Sequence, residues 1–194
     1  MPLRAVIRAL VDSSHMALLG AHVSTAGGAA RAFDRGAEIG CEALQIFVKS
    51  PNQWRAKALA DADVTAFHEA RAAAPQPVVA HAAYLINLAS PKEDVLEKSK
   101  AALLDELQRC TALGVDGLVL HPGAHLGSGE DAGIDRIARS LDEVLAADPT
   151  ITTKVLLENT AGQGSTLGAK FSELRRIIDL VDQESKVGVC LDSC

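Results

Sequence analysis

The sequence predicts an α/β fold of parallel strands joined by crossover helices, with a (β/α)8 barrel as the favoured form. Three observations carry this reading. Short apolar runs rich in branched residues alternate with stretches of helical periodicity, and the repeat recurs at intervals of about 35 to 40 residues. Nearly every apolar run ends on a residue able to bind a metal, namely His22, His81, His121, Glu158 and Asp192. No G-x-G-x-x-G follows the first run, where a doubly wound dinucleotide fold would carry it, and Gly162-Gln163-Gly164 is not that motif. A doubly wound sheet fits the alternation equally well. The barrel gains from the strand ends, because a barrel brings them all to one rim, the face that holds active sites.

Taken in order, Leu18 to Val23 reads as the first strand, and Gly27 to Ile39 as a helix stopped by Gly40. Ala43 to Val48 is the second strand, followed by a loop holding Ser50-Pro51-Asn52-Gln53-Trp54. Asp61 is expected to cap a helix that runs to about Ala73 and is ended by Pro75 and Pro77. Val78 to His81 is a third, short strand. In Ser90-Pro91-Lys92-Glu93 the spacing predicts a helix start, with Ser at the cap, Pro at the first helical position and Glu returning a hydrogen bond. That helix should reach Leu113 and stop at Gly114. Gly117 to His121 is strand four, Asp131 to Ala146 a helix, Lys154 to Glu158 strand five, Phe171 to Val181 a helix, and Lys186 to Asp192 strand six.

A chain of 194 residues, 48% hydrophobic and 23% charged, fits one globular domain with its own core. A net charge of -6 argues against a general nucleic-acid coat protein, which would show a basic excess. The four cysteines form no C-x-x-C pair and no secretory signal precedes them, so reduced thiols and a cytoplasmic location are expected. Cys190 and Cys194, around Asp192, read as buried thiols rather than zinc ligands. No apolar run approaches the roughly 18 residues that would indicate a membrane span. Residues 1–15 read as a loose extension or a mis-called start before Met16, and 16–194 as the domain.

Glu158 closes the run Val155-Leu156-Leu157 and opens a loop of small polar residues and glycines. A lone Glu there is more often a capping or solvated residue; the recurrence of metal-capable residues at the other strand ends points to function. His22 reads either as a buried histidine bonded to a neighbouring strand or as a supporting residue behind the ligands. His121 and His125 have H-x-x-x-H spacing, but Pro122 and Gly123 impose a turn, so His121 alone is the candidate ligand. His15 and His68 read as surface residues. Two imidazoles with carboxylates suit Zn2+, Mn2+ or Fe2+ better than Ca2+ or Mg2+, and a carboxylate such as Glu158 can bridge two ions.

The blocks GAHVS (Gly20 to Ser24), HAAYLINLASP (His81 to Pro91), HPGAHLG (His121 to Gly127), LENTAGQGSTLG (Leu157 to Gly168) and VGVCLDSC (Val187 to Cys194) resemble the endonuclease IV family, the zinc-dependent apurinic/apyrimidinic endonucleases. The resemblance runs from about Leu18 to the last residue. It implies a TIM barrel of the xylose-isomerase-like type, with about six of the eight βα units, and three zinc ions in a complete member. It further implies that His81, His121 and Glu158 form the full protein ligand set of one zinc, that Glu158 is catalytic and bridges to a second zinc, and that Asp192 is another ligand of that second ion. Tyr84 and Leu85 correspond to a DNA-inserting loop, and Gln53 and Trp54 to DNA-contacting positions. The expected partner is double-stranded DNA with abasic sites, cut 5' to the lesion by zinc-activated hydroxide to leave a 3'-hydroxyl and a 5'-deoxyribose phosphate.

Two departures accompany the resemblance. Asn52 stands where the family carries Arg, and the family's last third, beginning with a histidine after the position of Cys194, is absent. The chain therefore reads as a C-terminally truncated member, a monomer when complete. As it stands, it is expected to be weakly active or inactive alone, with open first and sixth strands prone to aggregation or pairing. The rival readings are a metal-dependent sugar isomerase or epimerase on the same barrel, and an inactive fragment or interaction module.

Overall fold

A computed structural model of the chain describes residues 17–74 and 77–193. The expected loose segment 1–15 lies outside them, as do Pro75 and Cys194. Six strands form one parallel sheet: β1 (Gly20–His22), β2 (Ala43–Ile46), β3 (Val78–His81), β4 (Gly117–Leu120), β5 (Lys154–Glu158) and β6 (Val187–Cys190). Between them lie helices α1 (Arg31–Glu38), α2 (Asp61–Ala73), α3 (Glu93–Leu113), α4 (Glu130–Ala147) and α5 (Phe171–Leu180). The strands pair in strict sequence order, β1-β2-β3-β4-β5-β6. That order decides between the two expected topologies, because a doubly wound sheet reverses at a switch point whereas a barrel adds each strand to the same side. The arrangement is six consecutive units of a (β/α)8 barrel.

Alternation along the strands separates two faces. Leu44, Ile46, Val78, Ala80, Leu118, Leu120, Val155 and Leu157 are at most 2% exposed. They meet the buried faces of the helices, including Leu103, Leu107 and Cys110 of α3, Ile134, Ile137 and Leu141 of α4, and Leu174 and Ile177 of α5. Each buried aliphatic side chain stabilises this layer by about 1.5–3 kcal/mol relative to exposure. The alternate residues Gln45, Val79, Val119 and Leu156 line a trough of about 400 Å³ on the other face. Its top edge carries the strand-end polar residues.

Element boundaries differ from the sequence expectation for local reasons. Helix α1 begins at Arg31 rather than Gly27, because Gly27 and Gly28 have φ of 83° and 115°, outside the helical region. Asp61 is the first residue of α2 rather than its cap, and Ala60 occupies the capping position. Lys92, not Ser90, precedes α3; Ser90 Oγ accepts the Lys92 N–H at 3.2 Å, so the Ser-Pro pair forms a turn just outside the helix. Gly114 ends α3 as expected, in the left-handed conformation with φ 66°. Strand β1 is shorter than Leu18–Val23, pairing with β2 over three residues, and β6 spans four residues after a short 3-10 turn at Glu184–Lys186.

A buried charge cluster ties the rim loops to α3. The Lys49 side chain is 1% exposed; its Nζ donates to the Trp54 carbonyl at 3.1 Å and lies 3.4 Å from both Asp105 and Glu106. Glu106, also 1% exposed, accepts the Ala83 N–H. Arg109 Nε donates to Asp105 at 3.0 Å and its guanidinium reaches the Lys57 carbonyl at 2.8 Å. Burial pushes the Glu106 carboxyl above its ordinary pKa, and the Lys49 charge opposes that rise. Tyr84 N–H donates to Pro51 O at 3.2 Å, which joins the loop after β2 to the loop after β3.

Replacing Glu106 by Ala should lower the unfolding free energy by about 3 kcal/mol in urea titration, because it leaves a buried ammonium short of one partner and the Ala83 N–H without an acceptor. Gly20→Ala should cost about 1–3 kcal/mol, since a Cβ there falls 2.7 Å from the Ala43 carbonyl carbon and a backbone atom cannot step aside as a side chain can. The same urea titration checks both.

Candidate metal centre

Parallel strands place their carboxyl ends on one side, and the register sets which residues meet there. His81 closes β3, Glu158 closes β5, and His121 directly follows the paired Leu120 and Leu157, so it stands opposite Glu158. His121 Nε2 lies 2.8 Å and His81 Nε2 3.2 Å from the same oxygen, Glu158 Oε2. The three ligand atoms lie within 4.8 Å of one another.

The His81 tautomer follows from its neighbour. His81 Nδ1 is 2.7 Å from the Ala82 carbonyl, an atom that only accepts, so Nδ1 carries the hydrogen. Its Nε2 then offers a lone pair to a carboxylate oxygen that is itself an acceptor. Two acceptors at 3.2 Å are stable only if a proton or a cation stands between them. Two imidazoles and a carboxylate converging at one rim fit a borderline transition metal such as zinc, and Ala82 O provides the outer hydrogen bond that orients a ligating histidine. His81 is 8% exposed, which limits water competition for the site.

The three residues expected to share one ion therefore lie together, and Asp192 is the residue expected at a second ion. Asp192 stands outside the cluster among the described residues. It lies beyond β6, where its N–H donates to Asn159 Oδ1 and its carbonyl accepts from Asn159 Nδ2, each at 2.7 Å. Cys190 is half-buried rather than buried, with Sγ 3.9 Å from Glu158 Oε1. Burial, then the Glu158 and Asp192 charges, raise its thiol pKa. Cys110 is the fully buried thiol of this set.

His22 is exposed at the end of β1 among the described residues, and its ring stands over Phe47 with centroids 4.4 Å apart, 6.4 Å from the His81 ring. Desolvation first, and the nearby His81 second, lower its pKa. His125 stays apart from the cluster, as its turn implied, and its Nδ1 accepts the Gly129 N–H at 3.2 Å. His68 is exposed as expected but has a partner, with Nε2 2.9 Å from the Ala112 carbonyl.

Around the centre, Tyr84 is 61% exposed and its ring centroid lies 5.5 Å from that of His81. Leu85 is half-buried beside it, and Gln53 is exposed on the neighbouring loop together with Arg55 and Lys57. Trp54 is half-buried against the core and anchors that loop. Sequence reasoning missed Asn87, Asn159, Lys49 and Glu106. The first lies in the HAAYLINLASP block and the second in LENTAGQGSTLG, but neither stands at a strand end, and nothing local marks the other two.

Residues 33–194 match the family model described as xylose isomerase-like TIM barrel. A protein of Citrifermentans bemidjiense named "Probable endonuclease 4" is 49% identical over 180 residues, covering 92% of this chain and 64% of its own length. The crystal structure of endonuclease IV from Thermus thermophilus superposes with a TM-score of 0.79 at 38% identity, over 92% of this chain and 63% of that one. A D-tagatose 3-epimerase-like protein shares the fold, with a TM-score of 0.69 at 22% identity over 88% of this chain and 64% of that one. The chain thus spans about 64% of the length of the curated relatives it matches. With that family model covering most of the sequence and the strand-end residues gathered at one rim, the chain belongs to the xylose isomerase-like TIM barrels, and within them to the endonuclease IV family.

Proposed function

We propose that these six βα units are the metal-holding part of a DNA-repair phosphodiesterase that cuts 5' to abasic sites in duplex DNA, leaving a 3'-hydroxyl and a 5'-deoxyribose phosphate. The observation that carries the reading is the convergence of His81 and His121 on Glu158 Oε2. His81, His121 and Glu158 would hold a zinc ion, which when bound would supply a Lewis acid and lower the pKa of water toward neutrality. His81 orients the site through its Nδ1–H bond to Ala82 O. Glu158 presents Oε2 to the two histidines, while its Oε1 lies 3.9 Å from Cys190 Sγ on β6.

The rim supports the substrate assignment. Tyr84, exposed beside the centre, offers an aromatic face to a duplex that lacks a base, where turning out the sugar costs least. Gln53, Arg55 and Lys57 stand exposed on the adjoining loop, within reach of a phosphate backbone. Cations held at this centre would add local positive charge that the overall charge of -6 omits.

Two outcomes test this. Glu158→Gln should reduce incision of an abasic duplex at least about a hundredfold while duplex binding survives, and unimpaired incision would remove Glu158 from the mechanism. His121→Ala should abolish saturable Zn2+ or Co2+ binding measured by calorimetry or absorption. Turnover of free ketoses with no affinity for abasic duplex would instead place the site among the sugar epimerases.

A further inference from the structure

Asn87 stands in the loop after β3 and grips the loop after β4. Its Oδ1 accepts the Ala124 N–H at 2.9 Å and the Ala89 N–H at 3.0 Å, and its Nδ2 donates to the Ala124 carbonyl at 3.0 Å. The amide thus takes both main-chain polar groups of Ala124, as a neighbouring strand would. Asn87 is in turn anchored on α3: its own N–H donates to Ser99 Oγ at 3.0 Å, and that hydroxyl donates to Val95 O at 2.7 Å.

On its far side the same turn meets the loop after β5. Ala124 bridges Thr166, Leu167 N–H donates to Gly123 O at 2.8 Å, and His125 N–H donates to Ser165 O at 3.0 Å. The loops that follow His81, His121 and Glu158 are therefore laced together through Pro122-Gly123-Ala124. Gly123 has φ 121°, and a Cβ there would run into Asn87 Oδ1, so the turn closes around this amide. The His121 side chain is 49% exposed, against 10% for His81, and the turn that Asn87 grips begins at the next residue, Pro122.

We infer that Asn87 is a positioning residue that holds His121 Nε2 at its place beside Glu158 by clamping Ala124, and so sets the metal affinity of the centre. This rests on the metal reading of that centre.

The test is a Co2+ titration of the full chain, followed by absorption, with thermal unfolding of the metal-free chain in parallel. Asn87→Ala should weaken Co2+ about 10–100-fold, the usual effect of removing a residue that orients a ligand. Asn87→Asp keeps an acceptor for both N–H groups but sets a carboxylate oxygen against Ala124 O in place of the donor, so it should weaken Co2+ as Asn87→Ala does. Ile137→Val, a remote core change in α4, should lower the melting temperature and leave Co2+ affinity alone. Co2+ affinities of N87A and N87D within twofold of wild type would overturn the inference, whatever their melting temperatures; if N87A does not fold, N87D decides. A wild-type chain showing no saturable Co2+ signal sensitive to His121→Ala overturns the metal reading itself, and the inference with it.

Discussion

Two imidazole nitrogens aimed at one carboxylate oxygen form the interaction on which this structure turns. With the His81 hydrogen committed to Ala82 O, the contact between Nε2 and Glu158 Oε2 needs positive charge between them. A protein does not assemble such a cluster by local preference, since each partner would be better solvated alone. Holding it requires a scaffold stiff enough to oppose the separation of like-acting groups. Three adjacent parallel strands, β3, β4 and β5, provide it, because their ladders fix where each strand end stands and their outer faces are sealed against helices.

Above the strands, the loops are held by directional polar contacts as well as by apolar packing of residues such as Ile86, Leu88 and Leu167. Lys49, Asp105, Glu106 and Arg109 connect the loop after β2 and the start of the loop after β3 to α3. Asn87 continues the stitching to the loop after β4, and the Ala124–Thr166 bridge carries it to the loop after β5. Buried pairs of this kind add little net stability. Their effect is geometric: a directional bond fixes where a main-chain atom sits, whereas an apolar contact tolerates sliding. The rim therefore combines an exposed Tyr84 with a rigid foundation.

The two ends of the sheet differ in character from its centre. Leu18 and Leu19 before β1, and Val189 and Leu191 at β6, are each 49% exposed or more, while the outward residues of β3, β4 and β5 are almost wholly covered. The candidate centre lies away from both edges, between β3 and β5, and this is why its three residues are in place within six units.

The sequence by itself determined the alternation of strands and helices, the limits of β3 and β5, the stop at Gly114, and the strand-end positions of His81, His121 and Glu158. Each is written in a local signal: a short branched run, a glycine free to take positive φ, or a polar residue where an apolar run stops. Helix starts were less legible, because Asp61 and Ser90 can serve a turn or a first helical residue as readily as a cap. The tertiary structure alone decided that Asp192 stands apart from the cluster, that His22 is exposed, that Trp54 anchors a loop, and that Asn87 grips Ala124. Those outcomes depend on partners distant in sequence: 77 residues separate His81 from Glu158, and 37 separate Asn87 from Ala124. Periodicity states which face a residue occupies, while strand register and the paths of the loops between strands decide what it meets there.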